Sequence, residues 1–111
     1  MIIGGGIGGL TAAIALGLRG YDVRVFERAP TLGEVGAGIT LWHNALRVMD
    51  ALGLKEALID AGMLVEAGSI GTYKGQVLTR LSLDDEERAR VGPILAIHRA
   101  ELHRILYEAL P

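Results

Sequence analysis

Apolar residues recur along this chain with two different periods, and the changes of period mark its elements. Leu10, Ala13, Ile14, Gly17 and Leu18 fall at i, i+3, i+4, i+7 and i+8, one stripe of a helix over 8–19. Gly20 follows as a suitable C-terminal stop. Ahead of this helix, 1–3 reads as the end of a buried strand. Behind it, 22–27 alternates around Val23, Val25 and a buried Phe26, which predicts a second strand. Strand, helix and strand in so few residues make a βαβ unit, hence parallel strands and a right-handed crossover.

Further on, 29–38 reads as a glycine-punctuated loop. Asn44 is suited to cap a helix through Leu46, Val48, Met49 and Leu52, and a shorter helix over 54–61 closes at Gly62. The stretches 65–73 and 77–83 predict two strands around the turn Tyr73-Lys74-Gly75-Gln76. Asp84 with Arg88 and Glu86 with Arg90 stand at i,i+4, which predicts a solvated helical turn. A short strand over 94–97 then leads into a helix over 100–110 with Leu102, Ile105, Leu106 and Leu110 inward. The class is α/β: a Rossmann-like βαβ unit with an inserted hairpin, and no linker or repeat divides residues 1–111.

Composition sharpens this picture at three points. Glycine, with 16 occurrences, is clustered, and the densest cluster lies between the first strand and the first helix. Cysteine is absent, which removes disulfides, thiolate metal sites and thiol nucleophiles, and is compatible with a cytoplasmic, reducing setting. Net charge is −2 with both signs interspersed, so no nucleic-acid or anionic-membrane surface is indicated. The first 18 residues carry no charged side chain, but the glycines break any signal-peptide core and Arg19 arrives too early for a membrane span.

The chemistry sits in Gly4-Gly5-Gly6-Ile7-Gly8-Gly9, which satisfies G-x-G-x-x-G with Gly4, Gly6 and Gly9. Gly4 permits the tight turn out of the strand. Gly6 lets backbone approach a pyrophosphate. Gly9 lets the helix pack closely on the sheet, and the N–H groups at the helix start face the phosphates. Glu27 ends the next strand, where an acid accepts hydrogen bonds from adenosine ribose hydroxyls and repels a 2′-phosphate. Arg28 is able to meet a phosphate or to lie over the adenine face. A P-loop reading fails because Leu10 stands where the phosphate-binding lysine is required.

These residues resemble the FAD-binding domains of single-component flavin aromatic monooxygenases, the group of salicylate and hydroxybenzoate hydroxylases. The resemblance rests on Ile2-Ile3-Gly4-Gly5-Gly6-Ile7-Gly8-Gly9-Leu10, Glu27-Arg28, Gly36-Ala37-Gly38-Ile39-Thr40-Leu41, Asn44-Ala45-Leu46, Leu52-Gly53-Leu54, and Ile97-His98-Arg99-Ala100-Glu101-Leu102 with Leu106. It implies backbone contacts from Gly6, Ile7 and Gly8 to the pyrophosphate of FAD, with Glu27 on the ribose and Arg28 on the adenosine side. It also implies that Gly38 passes near the flavin end and that Arg99 reaches back to the cofactor. One departure is His43, where many relatives have proline.

Enzymes of that group run to several hundred residues, and their later Asp-Gly and Gly-Asp segments have no counterpart here. The resemblance therefore implies an incomplete FAD-binding domain, the N-terminal portion of a longer enzyme. That enzyme would use NAD(P)H to hydroxylate a small aromatic substrate, with no catalytic side chain from residues 1–111. Flavin-to-disulfide transfer is excluded in this segment, because 34–46 holds no thiol. His43, His98 and His103 lack metal-ligand spacing and read as surface or loop residues, and Trp42 reads as packing. Two other readings stand beside this one: a non-catalytic nucleotide-binding fragment, and an NAD-binding dehydrogenase domain, which the blocks after Glu27 disfavour.

Overall fold

The computed structural model describes residues 1–30, 36–65, 67–82 and 92–111. Strand β1 (Ile2–Ile3) runs into helix α1 (Ile7–Gly17), and the chain returns through β2 (Val25–Phe26). β1 and β2 pair in parallel, Ile2 with Val25 and Ile3 with Phe26, as a βαβ unit requires. β2 is shorter than the alternation predicted, and only one face of the pair is covered. Val25 is half-buried, whereas Phe26, expected inside, is 51% exposed, and Ile3 beside it is 74% exposed. α1 lies against this pair through Leu10, Ala13 and Ile14, all buried.

The second sheet was not foreseen. β3 (Gly38–Leu41), β4 (Met63–Leu64) and β7 (Leu95–His98) form three strands in the order β3-β7-β4, antiparallel throughout, so the parallel sheet is not simply extended. Between β3 and β4 stand α2 (His43–Ala51) and α3 (Lys55–Ala61). Asn44 does not cap α2: Trp42 holds the cap position, without a side-chain hydrogen bond, and Asn44 lies exposed in the first turn. Trp42 is 54% exposed, so it is not a core residue. The inserted hairpin is present as β5 (Ala67–Gly71) and β6 (Val77–Ser82), closed by a turn in which Gly75 has φ +85. The helical turn expected over 84–90 lies outside the described residues. α4 (Arg99–Glu108) follows β7 directly.

One core joins these pieces. Leu10 and Ile14 of α1 meet Leu102, Ile105 and Leu106 of α4, with Leu41, Leu46, Met49, Leu58, Leu95 and Ile97 completing the cluster. Among the described residues no helix is long and apolar enough to cross a membrane.

Much apolar surface stays uncovered, including Ile3, Phe26, Ile70, Val77 and Leu78. The chain exposes 7901 Å², against about 5900 Å² expected for a compact protein of 11.8 kDa. Among the described residues no further strand pairs with the β1–β2 sheet, so both of its edges are open. These 111 residues expressed alone are expected to self-associate and bind a hydrophobic dye. A monodisperse, dye-silent monomer in size exclusion would contradict this.

Candidate functional site

The turn between β1 and α1 is built almost wholly from glycine backbone. Gly4 has φ +101, in the left-handed region that side chains disfavour, and its N–H donates to the Phe26 carbonyl at 2.8 Å. Gly6 caps α1 in extended geometry, φ −75 and ψ −179. The first helical hydrogen bond runs from Leu10 N–H to Gly6 carbonyl, 2.9 Å. The N–H groups of Ile7, Gly8 and Gly9 therefore precede the ladder at the positive end of the helix dipole.

The two sides of this loop differ sharply. A Cβ on Gly9 would stand 1.9 Å from the Gly4 carbonyl oxygen, so α1 approaches β1 as closely as only glycine allows. A Cβ on Gly6 or Gly8 would meet no heavy atom within 4 Å. The closed side is structural. The open side is a cradle with N–H groups at its rim, the form a pyrophosphate fits. Thr11 donates its hydroxyl to the Ile7 carbonyl at 2.7 Å, and Leu10 is buried in the core.

Glu27 reaches this loop from β2. Its Oε2 accepts from Gly5 N–H at 2.7 Å and its Oε1 accepts from Ala29 N–H at 2.9 Å. Each oxygen keeps a further lone pair for a ligand hydroxyl. The Ala29 N–H first, and the Gly5 N–H second, hold this carboxyl below the ordinary carboxylate range. A folded value below the unfolded one means that the tie is fully present at neutral pH and is lost as pH falls through the depressed value. The Gly5 amide resonance is accordingly expected to titrate together with the Glu27 carboxyl, below the ordinary range. A Gly5 amide insensitive to that titration would show that the tie is absent. Glu27→Gln is expected to weaken adenine-dinucleotide binding roughly ten- to a hundredfold, the scale of a charged hydrogen bond; unchanged affinity in a titration would remove Glu27 from the site. Arg28, next in the chain, is exposed.

A second group gathers around α4. Arg99 opens this helix directly after β7, and its N–H donates to the Ala37 carbonyl at 3.3 Å. Its side chain lies over Gly36, where a Cβ would stand 3.3 Å from Arg99 Cβ. Gly38 is exposed and pairs with His98 in the β3–β7 register. Gly38, Gly62, Met63 and Ile97 also line an open depression of about 400 Å³.

The predicted residues thus form two clusters: Gly4, Gly6, Ile7, Gly8 and Gly9 with Glu27, and Gly38 with Arg99. A buried side chain of α4 links them. His103, expected at the surface, is 5% exposed, and its Nε2 lies 2.6 Å from the Gly5 carbonyl oxygen. It stands one helical turn after Arg99, so α4 touches both clusters. Its position between Leu102 and Leu106 on the inward stripe was the available signal.

Comparison with known proteins gives a consistent result. The family model described as FAD binding domain matches residues 1–111. The chain is 44% identical over 112 residues to 3-amino-4-hydroxybenzoate 2-monooxygenase of Streptomyces cremeus, covering 99% of this chain and 28% of that enzyme. Among solved structures, the tetrameric form of 2-methyl-3-hydroxypyridine-5-carboxylic acid oxygenase superposes with a TM-score of 0.85 at 32% identity, over 97% of this chain and 27% of that one. Klebsiella pneumoniae HpxO, complexed with FAD and uric acid, gives a TM-score of 0.77 at 32% identity, over 96% of this chain and 27% of its own. The chain therefore spans little more than a quarter of the relatives it matches.

Proposed function

The chain belongs to the FAD-binding domain family, and from that premise we propose that it is the cofactor-holding part of a monooxygenase that uses NAD(P)H to hydroxylate a small aromatic or similar ring. Its cofactor is FAD. When bound, FAD supplies the oxygen-activating redox chemistry, and the residues of this chain bind and orient it.

The cradle beside Gly6 carries this reading. Open space meets the backbone there, and Ile7 and Gly8 stand in the first turn of α1, ahead of its hydrogen-bond ladder. In the proposal these groups hold the pyrophosphate and Glu27 accepts from the ribose hydroxyls. Arg28 lies along the adenosine, while Gly38 and Arg99 border the cofactor farther along. Glu27 would repel a 2′-phosphate, so NADPH is an unsuitable occupant of this cradle. The proposed domain is residues 1–111 as one portion of a longer FAD-binding unit. Its proposed setting is the cytoplasm, where NAD(P)H is available.

The ring substrate is a proposal by similarity of class. The relatives named above act on, or were solved with, a hydroxylated aminobenzoate, a hydroxypyridine carboxylate and uric acid, all small planar rings. The test uses the intact protein that contains this chain. It is expected to purify yellow, to bind FAD in preference to NAD⁺, and to consume NAD(P)H faster when a hydroxylated aromatic acid is added. A colourless protein that binds NAD⁺ but not FAD would overturn the proposal in favour of a dehydrogenase.

A further inference from the structure

We infer that His103 is a positioning residue for the phosphate-binding loop, locking the Gly5–Gly6 peptide so that the Gly6 N–H faces the cofactor's pyrophosphate. The inference rests on the FAD reading above and adds to it a residue from a distant helix.

His103 is the buried polar side chain of the described core, and it comes from α4, 98 positions away from its partner. A carbonyl oxygen only accepts, so at 2.6 Å the His103 Nε2 carries the proton and donates it to Gly5. The N–H of the same glycine is held by Glu27 Oε2 at 2.7 Å. Gly5 is therefore gripped on both backbone polar groups, one from each side of the loop, by side chains far apart in sequence.

That grip matters because the loop has no stiffness of its own. Gly4, Gly5 and Gly6 are consecutive glycines, and each samples more backbone conformations than any other residue. The peptide plane between Gly5 and Gly6 is free to turn over unless something fixes it. No cis peptide occurs among the described residues, and in a planar trans peptide the C=O and N–H point in opposite directions. Drawing the Gly5 carbonyl toward buried His103 turns the Gly6 N–H the other way, out of the core. Beyond Gly6 on its substituent side there is open space. The loop is thus set for an anion before the anion arrives, which spares the ordering cost of binding.

The position of His103 also sets Arg99. The two stand at i,i+4, the spacing that shares one helix face. The hydrogen bond to Gly5 therefore fixes the distance between the α4 start and the glycine loop, joining the two halves of the proposed cofactor path.

The test uses the intact protein stripped of flavin and retitrated with FAD by fluorescence, in four forms: wild type, His103→Leu, His103→Asn and His103→Gln. Gln carries an N–H near the place of the imidazole Nε2, whereas Asn is too short to reach Gly5 and Leu has no donor. The expected result is affinity lowered roughly tenfold or more in the Leu and Asn forms and restored to within about threefold of wild type by Gln. Imidazole nitrogen NMR of the wild type, with or without FAD, is expected to show a protonated Nε2. An unprotonated Nε2, or equal FAD affinity in all four forms, would overturn the inference while leaving the FAD reading intact. A wild type that does not bind FAD at all would overturn the FAD reading itself.

Discussion

Gly9→Ala is expected to damage the fold and not merely the site. The added carbon would lie 1.9 Å from the Gly4 carbonyl oxygen and 3.1 Å from its carbon. Both are backbone atoms of a turn already committed to φ +101, so no side-chain rotation relieves the overlap. α1 must lift away from β1, and it carries Leu10 and Ile14 out of their contacts with α4. Overpacking of this kind costs about 1–3 kcal/mol and more where backbone must move, a large part of the roughly 5–15 kcal/mol that holds a domain folded. Urea unfolding of the intact protein checks it: the expected variant unfolds at lower denaturant and binds little FAD. Wild-type stability in Gly9→Ala would mean that the helix does not approach the strand as closely as described.

Gly6→Val should give the opposite signature. At φ −75 and ψ −179 the backbone of Gly6 is open to any residue, and nothing lies within 4 Å of the added carbon. Losing a glycine from the helix cap should cost stability no more than about 1 kcal/mol. The branched side chain would instead fill the cradle, and FAD affinity should fall by a hundredfold or more, on the order of 3 kcal/mol of lost contact and exclusion. Circular dichroism together with a flavin titration separates the two effects. Retained, normally bound flavin in Gly6→Val would mean that the loop does not receive the phosphates.

The contrast between these two glycines shows how far the sequence could be read. The spacing of Gly4, Gly6 and Gly9 between a strand and a helix was enough to foresee both the close approach and the open side, because these are local consequences of backbone geometry. The inward stripe of α4 was legible for the same reason, as was that of α1 through Leu10, Ala13 and Ile14; Leu18, read on the same stripe, lies past the end of the helix and is 63% exposed. Non-local partners were not. β3 is four residues long and pairs with β7, more than fifty positions later, so its first glycine read as the end of a loop. Phe26 read as buried because both faces of β2 are apolar, yet only the Val25 face is covered. Asn44 looked like a cap, but β3 ends with buried Leu41 and the helix starts at once, leaving Trp42 in that position. His103 read as a surface residue because its partner, the Gly5 carbonyl, stands 98 positions away in the chain.

The most direct measurement of the central claim is an experimental structure of the intact protein with FAD bound. The account predicts pyrophosphate oxygens on the N–H groups of Gly6, Ile7 and Gly8. It also predicts ribose hydroxyls on Glu27, with Gly5 still held between Glu27 and His103. Flavin bound away from this loop, or a pyrophosphate on the closed side of Gly9 with Glu27 turned to solvent, would contradict it.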